Sequence, residues 1–498
     1  MSRGAQRGQK PNRAPRLPPL IQTMSHSILA ASLLAAACAV TLVGCKPATE
    51  TAPRAAAPAK AAVQTVSAPA RSAPAPAPAS ASASASAPSS PLSPAAQLGA
   101  KLFFDPSLSG TGKMSCATCH DPNHAYAPAN DLSVQLGGAD GKVPGTRAVP
   151  TLMYKEYTNA YSDTFENPDM VSPPGPGGGL TWDGRANTIA EQAAIPLLAS
   201  NEMANASKAA VVEAVQHGAH ADAFRQTYGA TVFDDTGRAF TLVGAALQAF
   251  QVEDRSFHPY SSKFDRYRNN KLGGALTDAE IRGLRVFLDP NKGNCMACHL
   301  IGGGNDGSQD MTSDYSFAAI GVPRNMEIPA NADPKYFDLG LCGPLRTDHR
   351  PGKDKGAAAT CGMFKTPVLR NVATRHVFMH NGVFKSLEEV VRFYNTRDTA
   401  PEKWYPRDAK GRVNKFNDLP APYRANLDDQ MPLDLRKPGS ATPMTDPEMQ
   451  DLIVFLKTLT DGFVPPAGTA ESGPQAHTVA EAAAVNAAAN AAHKPKTP

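Results

Sequence analysis

The stretch Cys116-Ala117-Thr118-Cys119-His120 recurs as Cys295-Met296-Ala297-Cys298-His299, with the His in the same place. Two thiols and an imidazole at this spacing are what covalent attachment of a c-type haem requires: the thiols bond the vinyl groups and the His ligates iron. A zinc site or a redox dithiol draws on the same residue types, but the second copy favours haem. The approach to each motif repeats as well. Gly99-Ala100-Lys101-Leu102-Phe103-Phe104-Asp105-Pro106 echoes Gly283-Leu284-Arg285-Val286-Phe287-Leu288-Asp289-Pro290. The chain carries an internal duplication of a haem-binding unit, so its fold has to accommodate two of them.

The N-terminus reads as targeting. Arg3, Arg7, Lys10, Arg13 and Arg16 precede an apolar run over 28–43 that is too short for a membrane-spanning helix and has the form of a secretion signal, with Met1 or Met24 as its start. The run closes in Leu42-Val43-Gly44-Cys45, the pattern at which bacterial lipoproteins are cleaved and acylated on the new N-terminal Cys; the alternative is an ordinary signal with a chance Cys. Export agrees with haem attachment, which takes place outside the cytoplasmic membrane. Of the eight Cys, four belong to the haem motifs and Cys38 and Cys45 to the signal, which leaves Cys342 and Cys361. In an oxidising compartment these two are expected to pair, the alternative being two free thiols. The formal net charge of +4 includes five basic and no acidic residues before Cys45, so the exported chain is near neutral and nothing points to nucleic acid.

Residues 46–93 are mostly Ala, Pro and Ser, with too few apolar side chains to drive folding, and form an expected extended tether. From Pro94 the pattern changes, and Leu98, Leu102 and Phe103 share one helical face. Helix starts are marked by Ser/Thr-x-x-Glu at Thr188 and Glu191, Thr277 and Glu280, Ser386 and Glu389, and Thr445 and Glu448. A further helix is expected over 240–253, loops over 173–179, 302–304 and 351–356, and no convincing run of paired strands. After Phe463 aromatic residues cease and a disordered tail follows.

Thr181-Trp182-Asp183-Gly184-Arg185-Ala186, then Gln192, Pro196 and Glu202, resembles the dihaem cytochrome c peroxidase superfamily, which includes the MauG-like branch. The likeness runs from Leu98 through both haem motifs to Leu459. It implies a mostly α fold of two cytochrome c-like haem domains in tandem. The domain over 94–275 carries the peroxidatic haem and that over 276–464 the electron-transfer haem, between a signal over 1–45 and a tail over 465–498. It also implies that Trp182 lies between the haems and relays electrons, while Gln192, Pro196 and Glu202 form the distal pocket of the peroxide-binding haem. Ile189, Gln192, Ala193 and Pro196 share a helical face, which agrees with that role. Glu202 is able to move a proton during O–O cleavage. Without the resemblance these residues read as a core Trp, a helix amide and a surface Glu.

In the peroxidase branch a His on the loop after the first motif caps the iron. The corresponding Gly137-Gly138-Ala139-Asp140 has none, and His124 stands too near the proximal His120 to serve, so an open, five-coordinate first haem is expected. For the second haem, the stretch 364–394 is similar to the family and puts Tyr394 where ordinary members have a Met ligand. Leu387, Val390, Val391 and Tyr394 share a face; elsewhere a core Tyr is the default, and Met379 and Met363 are weaker ligand candidates.

Two departures bear on the carry-over. Gly293 occupies the position of the exposed Trp through which MauG oxidises a protein partner, and Ala148 the position of an Asn that helps hold an interhaem calcium. The resemblance thus implies hydrogen peroxide as substrate, two covalent haem c and a small periplasmic donor, either a cytochrome or a cupredoxin. It also implies a two-haem high-valent state as in MauG and a possible homodimer. Oxidation of a protein partner and plain electron transfer are the alternatives.

Overall fold

The computed structural model describes residues 91–271, 273–302, 310–349 and 357–467. The expected signal with Cys45, nearly all of the tether, the chain beyond 467 and most of the loops 302–304 and 351–356 lie outside the described residues.

The first helix, α1 (Pro94–Phe103), begins where the Ser93 hydroxyl accepts the Ala96 N–H at 3.2 Å, and it buries Leu98, Leu102 and Phe103. A long irregular stretch holding the first Cys pair follows. Then come α2 (Ile189–Leu198), α3 (Lys208–His217), α4 (Ala221–Tyr228) and α5 (Thr236–Glu253), the last extending the helix expected from 240. Helices α1, α2 and α3 all pack on α5. Their shared core is aromatic: Phe103 meets Phe250 and Phe257 edge-on, and Tyr126 stacks on Phe257 at 3.9 Å. Fully burying such a ring contributes about 1.5–3 kcal/mol, so this cluster is a principal source of stability.

The second half repeats the plan with α6 (Lys263–Arg268), α7 (Asp278–Leu288), α8 (Leu387–Thr396) and α9 (Asp446–Lys457). Helices α7 and α8 pack on α9 around Phe264, Phe287, Phe393 and Phe455. Each core has one haem motif at its edge, Cys116 and Ala117 on the first, Cys295 and Met296 on the second. Three of the four expected capping boxes close in both directions, at Thr277, Ser386 and Thr445. At Thr188 only the hydroxyl half forms, because the Glu191 carboxylate turns to the Asn187 N–H instead. Three short antiparallel ladders were not legible in advance. They pair β1 (Leu136–Gly137) with β2 (Val143–Pro144), β3 (Ser162–Phe165) with β4 (Gly175–Gly177), and β5 (Phe317–Ala318) with β6 (Phe364–Lys365). Runs of two to four residues are too short to carry an alternating pattern. Among the described residues no helix is long and apolar enough to cross a membrane.

The duplication extends further in three dimensions than in sequence. A Cβ on Gly99 would lie 1.9 Å from the Ala246 carbonyl oxygen and 2.9 Å from Phe250 Cβ; on Gly283 it would lie 2.0 Å from the Asp451 oxygen and 2.8 Å from Phe455 Cβ. In both halves the missing side chain lets one helix touch the backbone of another beside a Phe four residues on. Alanine in an exposed helix would gain about 1 kcal/mol over glycine. Here overpacking of about 1–3 kcal/mol or more, against backbone that cannot rotate away, decides the sign. Gly99→Ala and Gly283→Ala are each expected to lower unfolding stability by about 2 kcal/mol or more in denaturant melts; unchanged or raised stability would show that the crossings are not tight.

Candidate functional site

Each Cys-x-x-Cys-His begins as a tight 3-10 turn that points three side chains one way. The His120 N–H donates to the Cys116 carbonyl at 3.0 Å, and the His299 N–H to that of Cys295 at 2.9 Å. His120 Nδ1–H donates to the Tyr126 carbonyl and His299 Nδ1–H to the Thr312 carbonyl, both at 3.0 Å. That bond fixes each Nδ1 as the protonated nitrogen, the arrangement of a metal-ligating His, and His299 also interacts with the Pro367 backbone. Burial, with the charges of Arg375 and Lys155 adding to it, pulls His120 down to about 4, and burial pulls His299 to about 4.

The turns open onto two internal cavities of ≈ 190 and ≈ 220 Å³, the first lined by Cys116, Cys119 and His120, the second by Cys295, Cys298 and His299. Neither Cys pair is bridged, whereas Cys342 and Cys361 form a disulfide. Burial pushes the thiols up, to about 12 for Cys116 and Cys295 and to about 11 for Cys119. No group of three or more His, Cys, Asp or Glu suited to a metal ion exists among the described residues. The donor set fits haem: two thiols beside one imidazole, opening on a largely apolar cavity, twice.

Trp182 lines both cavities. Its indole N–H donates to the Ala148 carbonyl at 2.8 Å, and its own carbonyl accepts the Lys365 N–H at 2.9 Å. The neighbouring Asp183, with no exposed surface, accepts Arg147 Nη1 at 2.8 Å, Arg185 Nη1 at 2.9 Å and the Thr181 hydroxyl at 2.6 Å. Arg147 also grips Asp338 with Nε and Nη2 at 2.6 and 2.8 Å. Both partners of the indole bond are thus held by one buried cation. Burial alone would raise the Asp183 and Asp338 carboxyls; the arginine charges overcome it and hold both below the ordinary range.

Gln192, Pro196 and Glu202 all line the first cavity. Among the described residues the Glu202 carboxyl makes no hydrogen bond; burial raises its pKa, and Arg185, on the same cavity, partly opposes the shift. The loop after the first motif, noted above only for lacking a His, turns out to buttress this residue. The Gly138 N–H donates to the Glu202 carbonyl at 2.8 Å, and a Cβ on Gly137 would lie 2.5 Å from the Asn201 oxygen and 2.8 Å from Glu202 Cα. Among the described residues no His besides His120 lines this cavity. His124 lines neither cavity and donates from Nδ1 to Asp121 at 2.8 Å.

Leu387, Val390, Val391 and Tyr394 all line the second cavity, as the helical face requires. The Ser386 capping box starts α8 and sets that face. Among the described residues the Tyr394 hydroxyl has no hydrogen-bond partner, whereas those of Tyr154, Tyr260 and Tyr405 donate to Asp461, Glu156 and the Gly321 carbonyl at 2.6, 2.9 and 2.6 Å. Tyr394 therefore departs from the satisfied core Tyr that is the default. Burial, above all, and the neighbouring Cys298 and Cys295 push its phenol up. Met379 lines the cavity too, but Met363 does not, its backbone being paired with Gly340; this removes Met363 as a ligand candidate. Gly293 also lines it, where a Cβ would lie 2.6 Å from the Val286 carbonyl oxygen, so no Trp fits at that position without moving the backbone.

A family model for di-haem cytochrome c peroxidase matches residues 93–272. Over 373 residues the chain is 33% identical to the methylamine utilization protein MauG of Paracoccus denitrificans, covering 74% of this chain and 88% of that protein. The chain belongs to the di-haem cytochrome c peroxidase family. Its structure is similar to that of the diheme peroxidase BthA from Burkholderia thailandensis, with a TM-score of 0.65 and 38% identity over 76% of this chain and 89% of that one. The cytochrome c551 peroxidase of Pseudomonas aeruginosa is 27% identical over 301 residues, 59% of this chain and 70% of that protein. As a di-haem cytochrome c peroxidase the chain is an oxidoreductase acting on peroxide, and membership implies two c-type haems.

Sequence reasoning singled out the haem motifs, Trp182, Gln192, Pro196, Glu202 and Tyr394, and missed Arg147, which joins parts of this peroxidase 36 and 191 residues away. The depressed pKa values of Asp183 and Asp338 set the sign of its effect. Stability from this bridge is present above the unfolded Asp pKa of about 4 and is lost as pH falls through the lower folded values. Arg147→Met, which leaves two buried carboxylates without their cation, is expected to cost about 3–5 kcal/mol at pH 7. Denaturant unfolding of parent and variant checks this, and the deficit should narrow below about pH 4, where the carboxylates take up protons; an equal deficit at both pH values would contradict it.

Proposed function

We propose that this enzyme reduces hydrogen peroxide to two waters with two protons and two electrons, the electrons coming from a small periplasmic cytochrome or cupredoxin. In this reading the two cores are cytochrome c-like domains in tandem. His120 holds the peroxidatic haem; His299 and Tyr394 hold the electron-transfer haem. When bound, the haem irons supply the coordination site for peroxide and the electron storage that neither side chain nor backbone offers.

The observation that carries the reading is the first cavity, where Glu202 and Gln192 face the same space as His120 and no second His stands over it. The Glu202 carboxyl has no competing hydrogen bond, and its raised pKa keeps a proton available nearer neutral pH than an ordinary glutamate would. With peroxide in this cavity the Glu202 carboxyl would carry a proton between its two oxygens, accepting it as the carboxylate and returning it as the acid. The Gln192 amide orients the oxygen pair. Pro196, with no N–H to offer, contributes a non-donating wall beside them. An uncapped first site reacts without prior reduction, in contrast to peroxidases that must first move a His away.

On the second site Tyr394, which lines the cavity with His299, would hold the haem iron through its phenol oxygen. A phenolate is a hard donor that favours the higher oxidation states, so such a ligand would let the second haem share an oxidising equivalent with the first, with Trp182 bordering both sites. This is the MauG-like feature of the reading. The lack of room for a Trp at Gly293 argues against oxidation of a protein partner by the route MauG takes. We assign no interhaem calcium, because Ala148 has no side-chain oxygen and its carbonyl is already taken by Trp182. We also propose a lipid anchor at Cys45 that keeps the enzyme facing the periplasm; membrane fractionation in the native host tests it.

Steady-state consumption of peroxide with a small cytochrome or a dye as donor tests the function. Glu202→Gln is expected to retain both haems by intact mass and to slow the reaction with peroxide by about 100- to 10,000-fold. An unchanged rate would return Glu202 to the surface and leave proton transfer without a carrier.

A further inference from the structure

The lining of the two cavities carries three basic side chains that make no ion pair among the described residues. Lys155 lines both cavities; Lys365 and Arg375 line the second. Among the described residues none of the three has an ion-pair partner. The Lys365 ammonium donates to the Gly179 carbonyl, and Arg375 donates from Nε to Val377 at 3.2 Å and from Nη2 to Val149 at 3.1 Å, carbonyls in each case. The Lys155 ammonium has no hydrogen-bond partner among the described residues.

The nearby carboxylates make their ion pairs and hydrogen bonds elsewhere, Asp183 with Arg147 and Arg185, Asp338 with Arg147, and Glu156 with the Tyr260 hydroxyl, and the charges of Glu156 and Asp183 only partly offset the burial of Lys155 and Lys365. The strain is visible in the acidities. Burial and then Arg375 pull Lys155 down to about 8, burial and then Lys155 pull Lys365 to about 7, and burial alone pulls Arg375 to about 10. A buried cation without a counter-ion costs several kcal/mol, and three on one wall compound the cost. Such a wall is stable when anions enter from the cavities it borders. Haem offers two carboxylates, its propionates, on one edge of the ring.

We propose that Lys155, Lys365 and Arg375 form a shared carboxylate clamp for the haem propionates. Lys155, bordering both cavities, holds carboxylates of both haems, and Lys365 a carboxylate of the second alone. The clamp rests on the reading that each Cys-x-x-Cys-His carries a haem. Its consequence is electrostatic. Each cation offsets propionate charge that would otherwise favour the oxidised iron, so Lys155 sets the potentials of both sites together and Lys365 tunes the second against the first.

The test uses the holoprotein, with intact mass to count haems and potentiometric titration to read the oxidised-to-reduced ratio of each at a fixed applied potential. Removing one charge at about 10 Å in a medium of effective dielectric near 20 corresponds to roughly a tenfold change in that ratio. Lys155→Met is expected to raise the ratio of both haems about tenfold, Lys365→Met that of the second haem alone, and Lys155→Arg to restore the parent values. Should Lys155→Met fail to accumulate, Lys365→Met carries the test. Two haems by mass with parental ratios in the Met variants would overturn the clamp. A parent chain with fewer than two haems would overturn the reading beneath it.

Discussion

Arg147 is the point on which the site depends. One guanidinium, nearly without solvent, is shared between Asp183, which follows Trp182 in the chain, and Asp338, which belongs to the second half. The residue after Arg147 is Ala148, whose carbonyl receives the indole N–H. A single ion-paired cation therefore fixes the donor and the acceptor of the bond that holds Trp182 against both cavities. In a dry environment such a bridge is costly to form and more costly to break, which suits a residue whose task is position. The helix crossings at Gly99 and Gly283 do the corresponding work for the two cores, and the haem motifs hang from the ends of the crossing helices.

What could be read from the sequence was what local chemistry dictates. Covalent attachment demands a fixed spacing of Cys116, Cys119 and His120, so the motif and its copy stand out unaided. Capping boxes are local too, and three of the four closed as expected. The fourth did not, because Glu191 found the Asn187 N–H instead, a choice between adjacent donors that spacing cannot decide. The inward face of α8 was legible from periodicity, but the free hydroxyl of Tyr394 was not, since its lack of a partner is a property of everything around it. Arg147 and the Gly137-Gly138 buttress stayed hidden for the same reason: their partners are distant in sequence, and nothing in the neighbouring residues distinguishes them from ordinary surface arginine and loop glycine; Lys155 stayed hidden because only its burial sets it apart from a surface lysine.

The two cavities are built alike and equipped differently. Both present an imidazole whose Nδ1 is tied to a backbone carbonyl. The first is bordered by the Glu202 carboxyl, able to move a proton, and the Gln192 amide, able to donate and accept hydrogen bonds. The second faces a phenol with no other partner, and no His or carboxyl lines it beyond His299, His380 and Asp428. His380 is stacked flat on Phe364 at 3.5 Å, and burial pulls its pKa to about 3, so it is a neutral ring in an aromatic pair. In the proposed reading, asymmetry of this kind would separate the labour between an iron that meets peroxide and an iron that stores charge, and Trp182 lines both cavities.

The central claim is that Tyr394 makes this division MauG-like by ligating the second haem through a hard oxygen. Potentiometry and resting-state spectroscopy of Tyr394→Met and Tyr394→Phe test it most directly. If Tyr394 is the ligand, a thioether in its place raises the potential of the second haem, changes its spectrum and makes reaction with peroxide depend on prior reduction. If both variants keep the parent's spectrum, potential and peroxide reaction, Tyr394 is a packed core residue and the assignment fails.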